Sequence, residues 1–238
     1  MKYELTDTSG VRTYVLQVYN YMLLGLLLTG VFALLTTSSS TMMNLIYVIH
    51  DDRIINISPF GWLVSLAPLS IALAFSFGLP KFSVVTAQVL FWLYSSLMGI
   101  SLSSVLLIYT GESVVSTIFI AVSIFGFMSL YGYTTETDLT SLGSFLIMGL
   151  IGLITSGLVN LFLSSTALDF AISVVAVIIF TGFVAFDIQR IKSIYNTYNI
   201  NDKQIVIKIA IFGALQLYLD FINIFVHLLR LLARKKEE

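Results

Sequence analysis

An all-α, polytopic membrane protein with seven spanning helices is what the sequence predicts, from its composition, from the recurrence of long apolar runs and from the short segments between them. Of 238 residues, 58% are hydrophobic and 11% are charged, against roughly a quarter charged in a soluble domain. That mixture cannot cover a water-facing surface. Apolar runs of about 20 residues, the length that crosses a hydrocarbon core of about 30 Å, recur along the whole chain. They place spans at residues 14–37, 60–77, 82–109, 114–133, 141–163, 170–189 and 205–232. Residues 1–13 then form an N-terminal tail, 14–232 one transmembrane domain and 233–238 a short charged C-terminal tail.

The tail before the first span carries Lys2, Glu4, Asp7 and Arg12, so it does not read as a cleavable signal. The longest break, residues 38–59, holds a Ser/Thr run followed by His50, Asp51, Asp52 and Arg53. Gly78-Leu-Pro-Lys81 reads as a tight turn, because its proline cannot continue the preceding helix. In the third span Ser95, Gly99 and Ser103 fall on one face and suit close backbone packing; Gly152 and Ser156 repeat the theme in the fifth. Asp138 or Thr140 is placed to cap the fifth helix, and residues 166–169 read as a turn before the sixth. Basic residues divide seven to five between the two sides, too even a split to orient the protein, although Arg230, Arg234, Lys235 and Lys236 favour a cytosolic C-terminus.

Several function classes drop out. With no cysteine there are no disulfides and no thiolate chemistry. A net charge of -1 does not suit a nucleic-acid surface. No nucleophile with its base, and no zinc-ligand spacing, points to an enzyme or a resident cofactor.

The informative residues are the ionisable ones at membrane depth, where a charge needs a partner, a wet cavity or a function. Asp220 lies near the middle of the last span and Asp187 closes the apolar run of the sixth. On the last helix Gln216, Asp220, Asn223 and His227 follow at spacings of four, three and four, so one face carries them all. Such a stripe either hydrogen-bonds to neighbouring helices or lines a hydrated path. An antiparallel hairpin turning between Lys203 and Gln204 brings Asp187 and Asp220 to similar depth if the sixth helix continues past Arg190, and Ile188, Ile191, Tyr195 and Tyr198 do recur at helical spacing. Two carboxyl groups that meet in a low dielectric share a proton and titrate as a unit. They also suit a hard cation such as Ca²⁺, for which protons compete. Arg190, one turn after Asp187, is placed either to pair with it or to sit in a solvated salt bridge at the helix end.

At these residues the chain resembles the Bax inhibitor-1 family and its bacterial branch. The matching stretches are residues 86–101, Tyr131-Gly-Tyr-Thr-Thr with residues 138–152, Phe186-Asp-Ile-Gln, and Gly213-Ala-Leu-Gln-Leu-Tyr-Leu-Asp-Phe-Ile-Asn-Ile-Phe. The resemblance implies a seven-helix bundle with the last helix enclosed by the others. It also implies a pH-sensitive calcium leak gated by a diaspartyl pair, at the positions of Asp187 and Asp220. The sequence departs from the family at Glu136 and Thr137, where basic residues are common, and has no basic latch residue within residues 60–77.

The expected function is a passive, pH-modulated calcium leak channel in a bacterial inner membrane. Asp187 and Asp220 are its proton sensor and tentative calcium ligands; Gln216, Asn223, His227 and Arg190 line or support the path. Its expected partners are the lipid bilayer, calcium ions and protons. The alternative is a membrane regulator that binds a protease complex or cell-death machinery without transport.

Overall fold

A computed structural model of the chain describes residues 8–50, 53–78, 81–198, 202–234 and 236. The tail before Thr8, Asp51 and Asp52, Leu79 and Pro80 of the tight turn, residues 199–201 of the last hairpin, Lys235 and residues 237–238 lie outside the described residues. The described elements are α1 (Thr8–Ser38), α2 (Ser40–Ile46), β1 (Tyr47–His50), β2 (Arg53–Ile57), α3 (Pro59–Gly78), α4 (Val84–Ile108), α5 (Gly111–Thr134), α6 (Thr140–Leu163), α7 (Thr166–Tyr198) and α8 (Lys203–Leu232). Among the described residues six helices, α1 and α4 to α8, are long and apolar enough to cross a membrane, and α3 supplies a shorter apolar stretch, Pro59–Phe75. The protein is a multi-pass α-helical membrane protein. Its outward side chains are those of a lipid-facing surface: Phe127, Leu161 and Phe162 on α5 and α6 are largely exposed, which hydrocarbon tolerates and water does not.

The chain divides into two compact units, one of Met1–Val15, Tyr109–Asn199 and Gln216–Glu238, the other of Leu16–Ile108 and Ile200–Leu215. In the second, the break at residues 38–59 is folded. Ser39 caps α2 by accepting from the Met42 amide, and β1 pairs antiparallel with β2, with an irregularity between Val48 and Ile49. Tyr47 is buried, and its hydroxyl meets Ser103 Oγ at 2.9 Å. The small-residue face of α4 packs as expected. Thr29 Oγ1 donates to the Ser95 carbonyl at 2.9 Å, and a side chain at Gly99 would strike the Thr29 carbonyl.

In the first unit, α7 packs against both α5 and α6 through glycines. Gly132 of α5 lies on the Ala185 backbone, Gly143 of α6 on the Phe186 ring, and Gly149 on Ile179. Gly152, expected on this packing face, has nothing within 4 Å of its would-be Cβ: the glycines that meet α7 are the pair nearer the start of α6. The expected turn at residues 166–169 is instead the first turn of α7. The chain reverses one step earlier, at Ser164 with φ 48°, and Ser165 Oγ accepts from the Leu168 amide at 3.3 Å. That serine cap supplies an acceptor for a helical amide that would otherwise lack one, and Asp169 in the first turn complements the helix dipole.

Candidate functional site

The site sits on α7 and the second half of α8. The apolar run of the sixth span ends at Gln189, yet α7 continues to Tyr198. Ile188 and Ile191 are fully buried, and Tyr195 stacks on Tyr14 at 5.2 Å. This extension places Asp187 inside the helix rather than at its end. Asp187 and Asp220 are only 6% and 5% exposed, and their carboxyl groups lie close enough to interact directly. Asp220 Oδ2 is buried, and no described donor meets it. The surroundings are apolar and close-packed: Val184, Ala185, Leu217 and Tyr218 are buried, and the Phe221 ring meets Phe125 of α5 edge-on at 5.8 Å.

The rest of the polar stripe spreads along α8. Gln216 is half-buried, one turn before Asp220. Asn223 Nδ2 donates to the Leu219 carbonyl of its own helix at 2.8 Å, leaving its Oδ1 as the free end. His227 is not brought to the carboxyl pair. It lies about 10 Å further along the helix at 1.5 Å per residue, with Nδ1 3.3 Å from Ser173 Oγ of α7. One turn beyond, Arg230 forms an ion pair with Asp169 at 3.3 Å, exposed on both sides. Arg190 is exposed, so it acts on Asp187 as a nearby charge.

Two residues the sequence reading did not assign hold α7 in place. Gln189 Nε2 donates to the Thr137 carbonyl at 2.8 Å, and its Oε1 accepts from the Leu139 amide at 2.9 Å. Lys192 Nζ donates to the Tyr133 carbonyl at 2.6 Å and lies 5.1 Å from the centre of the Tyr133 ring. A cation at those carbonyls satisfies the C-terminal end of α5. Asp138 does contribute to the start of α6, accepting from the Thr140 amide at 2.9 Å, although the cap position itself is Leu139. Hydrogen bonds from the Thr140 side chain and backbone hold the exposed Asp138 carboxyl below its ordinary pKa. Asp138, Thr140, Phe186, Gln189, Arg190, Ser193 and Ile194 line an open recess of about 590 Å³, which does not include Asp187. Among the described residues, no group of three or more His, Asp or Glu side chains is gathered to hold a metal ion.

A family model described as "Inhibitor of apoptosis-promoting Bax1" matches residues 11–237. The chain belongs to the Bax inhibitor family. A protein of Rickettsia prowazekii is 48% identical, over 98% of this chain and 94% of its own length. A protein of Caulobacter vibrioides is 42% identical, over 98% and 93%. The Escherichia coli protein called inner membrane protein YbhL is 39% identical, over 96% and 94%. The match to the Bax inhibitor family thus runs from the first turns of α1 through the C-terminal residues, well beyond the four stretches that carried the resemblance.

Proposed function

We propose that this Bax inhibitor family protein is a passive, pH-modulated calcium leak of a bacterial inner membrane, with Asp187 and Asp220 as proton sensor and cation ligands. The observation that carries the reading is the close approach of two buried carboxyl groups. Two carboxyl groups this close in an apolar interior hold a proton between them. Removing that proton leaves two like charges in contact, so the α7–α8 junction responds to pH as a unit. A hard cation takes the same oxygens and competes with the proton. The recess lined by Phe186, Gln189 and Arg190 of α7 is the vestibule, and Gln216 and Asn223 are the neutral lining along α8.

In this reading α3 is the seventh span: its 20 residues reach about 30 Å at 1.5 Å per residue. α8 is the more enclosed helix, with 56% of its apolar stretch buried against 6% for α6. Inner-membrane placement follows from the Escherichia coli relative, which is called an inner membrane protein. The protein acts as a conduit and carries out no covalent chemistry.

The test is calcium release from liposomes containing the purified protein alone, measured across pH for the parent and for Asp187→Asn and Asp220→Asn. The leak reading expects release by the parent and, in either variant, a changed rate with the pH dependence flattened. Asparagine variants that leak and titrate like the parent overturn the assignment of the site. The description of the family as an inhibitor of an apoptosis-promoting protein favours a second reading, a regulator that binds a membrane partner without transport. Absence of release from protein-only liposomes selects that reading.

A further inference from the structure

Phospholipid headgroups lie at the level where spanning helices leave the hydrocarbon, and the recess between the start of α6 and the last turns of α7 lies at that level. The apolar run of α7 ends at Gln189, and α6 begins at Thr140. The walls are fixed. Gln189 is tied at both ends of its amide, to the Thr137 carbonyl and the Leu139 amide, and the Phe186 ring rests on Gly143. A preformed space of about 590 Å³ results, within the range of about 300–1,000 Å³ that small-molecule sites occupy.

Two charges of opposite sign line this space. Arg190 is exposed, and among the described residues no carboxylate lies within ion-pair distance of its guanidinium. Lys192, two residues on, is already committed to the Tyr133 carbonyl. Asp138 is exposed too, and the hydrogen bonds that hold its carboxyl below the ordinary pKa keep it ionised at neutral pH. Its Oδ1 accepts from the Thr140 amide, but a carboxylate has about four acceptor positions, so it can take further donors. Half-buried Phe186 and Ile194 add apolar wall. The pairing selects the charge of a ligand. A simple anion drawn to Arg190 meets Asp138, and a simple cation drawn to Asp138 meets Arg190; a zwitterion satisfies both.

We infer that this recess seats the headgroup of a phospholipid that ends in a primary ammonium, with the phosphate on Arg190, the ammonium on Asp138 and the glycerol against Phe186 and Ile194. The dimensions agree. A compact recess of about 590 Å³ is about 10 Å across. In phosphoethanolamine a phosphate oxygen and the nitrogen lie about 4 Å apart, with two carbons between them. A hydrogen bond of about 3 Å at each end brings the span to about 10 Å. The guanidinium fork matches phosphate oxygens, and the ammonium has three N–H groups to offer Asp138. Other common heads fit less well: phosphocholine has no N–H for Asp138, and phosphoglycerol brings the negative charge without the positive one. The inference stands on the recess and holds whether or not the chain conducts calcium.

The experiment titrates the full chain, purified in detergent, with dioctanoyl phosphatidylethanolamine, phosphatidylcholine and phosphatidylglycerol, and reads bound lipid by native mass spectrometry; glycerophosphoethanolamine, the headgroup without its chains, is the fourth ligand. The parent should bind the ethanolamine lipid about tenfold more tightly than the choline or glycerol lipid, a difference of about 1.4 kcal/mol, and more tightly than the free headgroup. Asp138→Asn, which keeps an acceptor for the Thr140 amide, and Arg190→Gln should each abolish that preference. Arg230→Gln should keep it, because Arg230 pairs with Asp169 at the opposite end of α7, about 30 Å from Arg190 at 1.5 Å per residue. Equal binding of the three lipids by the parent overturns the inference without recourse to any variant. So does a preference that survives in Asp138→Asn or Arg190→Gln, or one that disappears in Arg230→Gln, since the site then lies elsewhere. Binding of the free headgroup as tight as that of the lipid overturns the lipid assignment in favour of a soluble zwitterion.

Discussion

Gly132→Ala tests whether the carboxyl pair depends on how closely α5 approaches α7. A Cβ at Gly132 would lie 2.7 Å from Ala185 Cα and 2.9 Å from its carbonyl carbon, and against its carbonyl oxygen; ordinary contact begins at 3.4 Å. All three atoms are backbone, so no side chain can swing aside. The helices must part by at least about 0.7 Å, and overpacking of this kind costs about 1–3 kcal/mol. Alanine returns up to about 1 kcal/mol of helix propensity, leaving a net loss of roughly 0–2 kcal/mol. For a chain of this size that is a fall in Tm of up to roughly 8 °C. Gly126→Ala on the same helix is the control, because its Cβ would meet nothing within 4 Å; it should melt at or above the parent. Ala185 is two residues before Asp187, and a hydrogen bond between oxygens spans only about 2.5–3.0 Å. A shift of that size at Ala185 is comparable to the whole width of that range, so it disturbs the carboxyl contact, and in the proposed reading release from liposomes should lose part of its pH dependence. Equal melting and equal release in the two alanine variants would refute the argument.

The ties around α7 give two further predictions. Gln189→Leu removes both bonds to the α5–α6 loop and leaves the amide of buried Leu139 without its acceptor, a loss of about 1–3 kcal/mol. Hydrogen exchange should quicken at residues 137–140 and stay slow in the middle of α6, whereas unchanged exchange there would show that the loop holds itself. For Asp138, the carboxyl sits below its ordinary value of 3.8 in the folded protein, so its contribution is full above that value and is lost as pH falls through the lower, folded one. The stability gap between the parent and Asp138→Ala should be constant at neutral pH and close on acidification; a gap that widens in acid contradicts the hydrogen bond from Thr140.

The spans were legible because a bilayer demands one property, apolar length, that a linear sequence displays directly. Asp187 and Asp220 were legible for the converse reason: a carboxyl group at depth is too costly to be incidental. Where contacts far apart in sequence decide the outcome, local reading gave less. Residues 38–59 showed only polarity and length, and they fold because Tyr47 reaches Ser103, 56 residues away. Small-residue spacing identified the packing face of α4, but on α6 it pointed to Gly152 when Gly143 and Gly149 meet α7, since spacing alone does not say which face a neighbour covers. Gln189 and Lys192 escaped notice because their partners are backbone carbonyls, which every residue carries.

The same ties argue for how the junction responds to a proton. At one end α7 is fastened to α5 and its loop by Lys192 and Gln189, and at the other Ser173 and Asp169 meet His227 and Arg230 of α8. Between these fastenings the carboxyl contact is a further polar link from α7 to α8. In the proposed reading, deprotonation replaces that link with repulsion in the middle of a pair restrained at both ends, so the helices would bow locally and need not separate. The oxygens this exposes are few. In that reading, the carboxyl oxygens of Asp187 and Asp220 with the Oδ1 of Asn223 fall short of the six to eight that Ca²⁺ prefers, and water makes up the rest. A cation that keeps much of its water is held weakly and leaves readily, which suits a passage site better than a storage site.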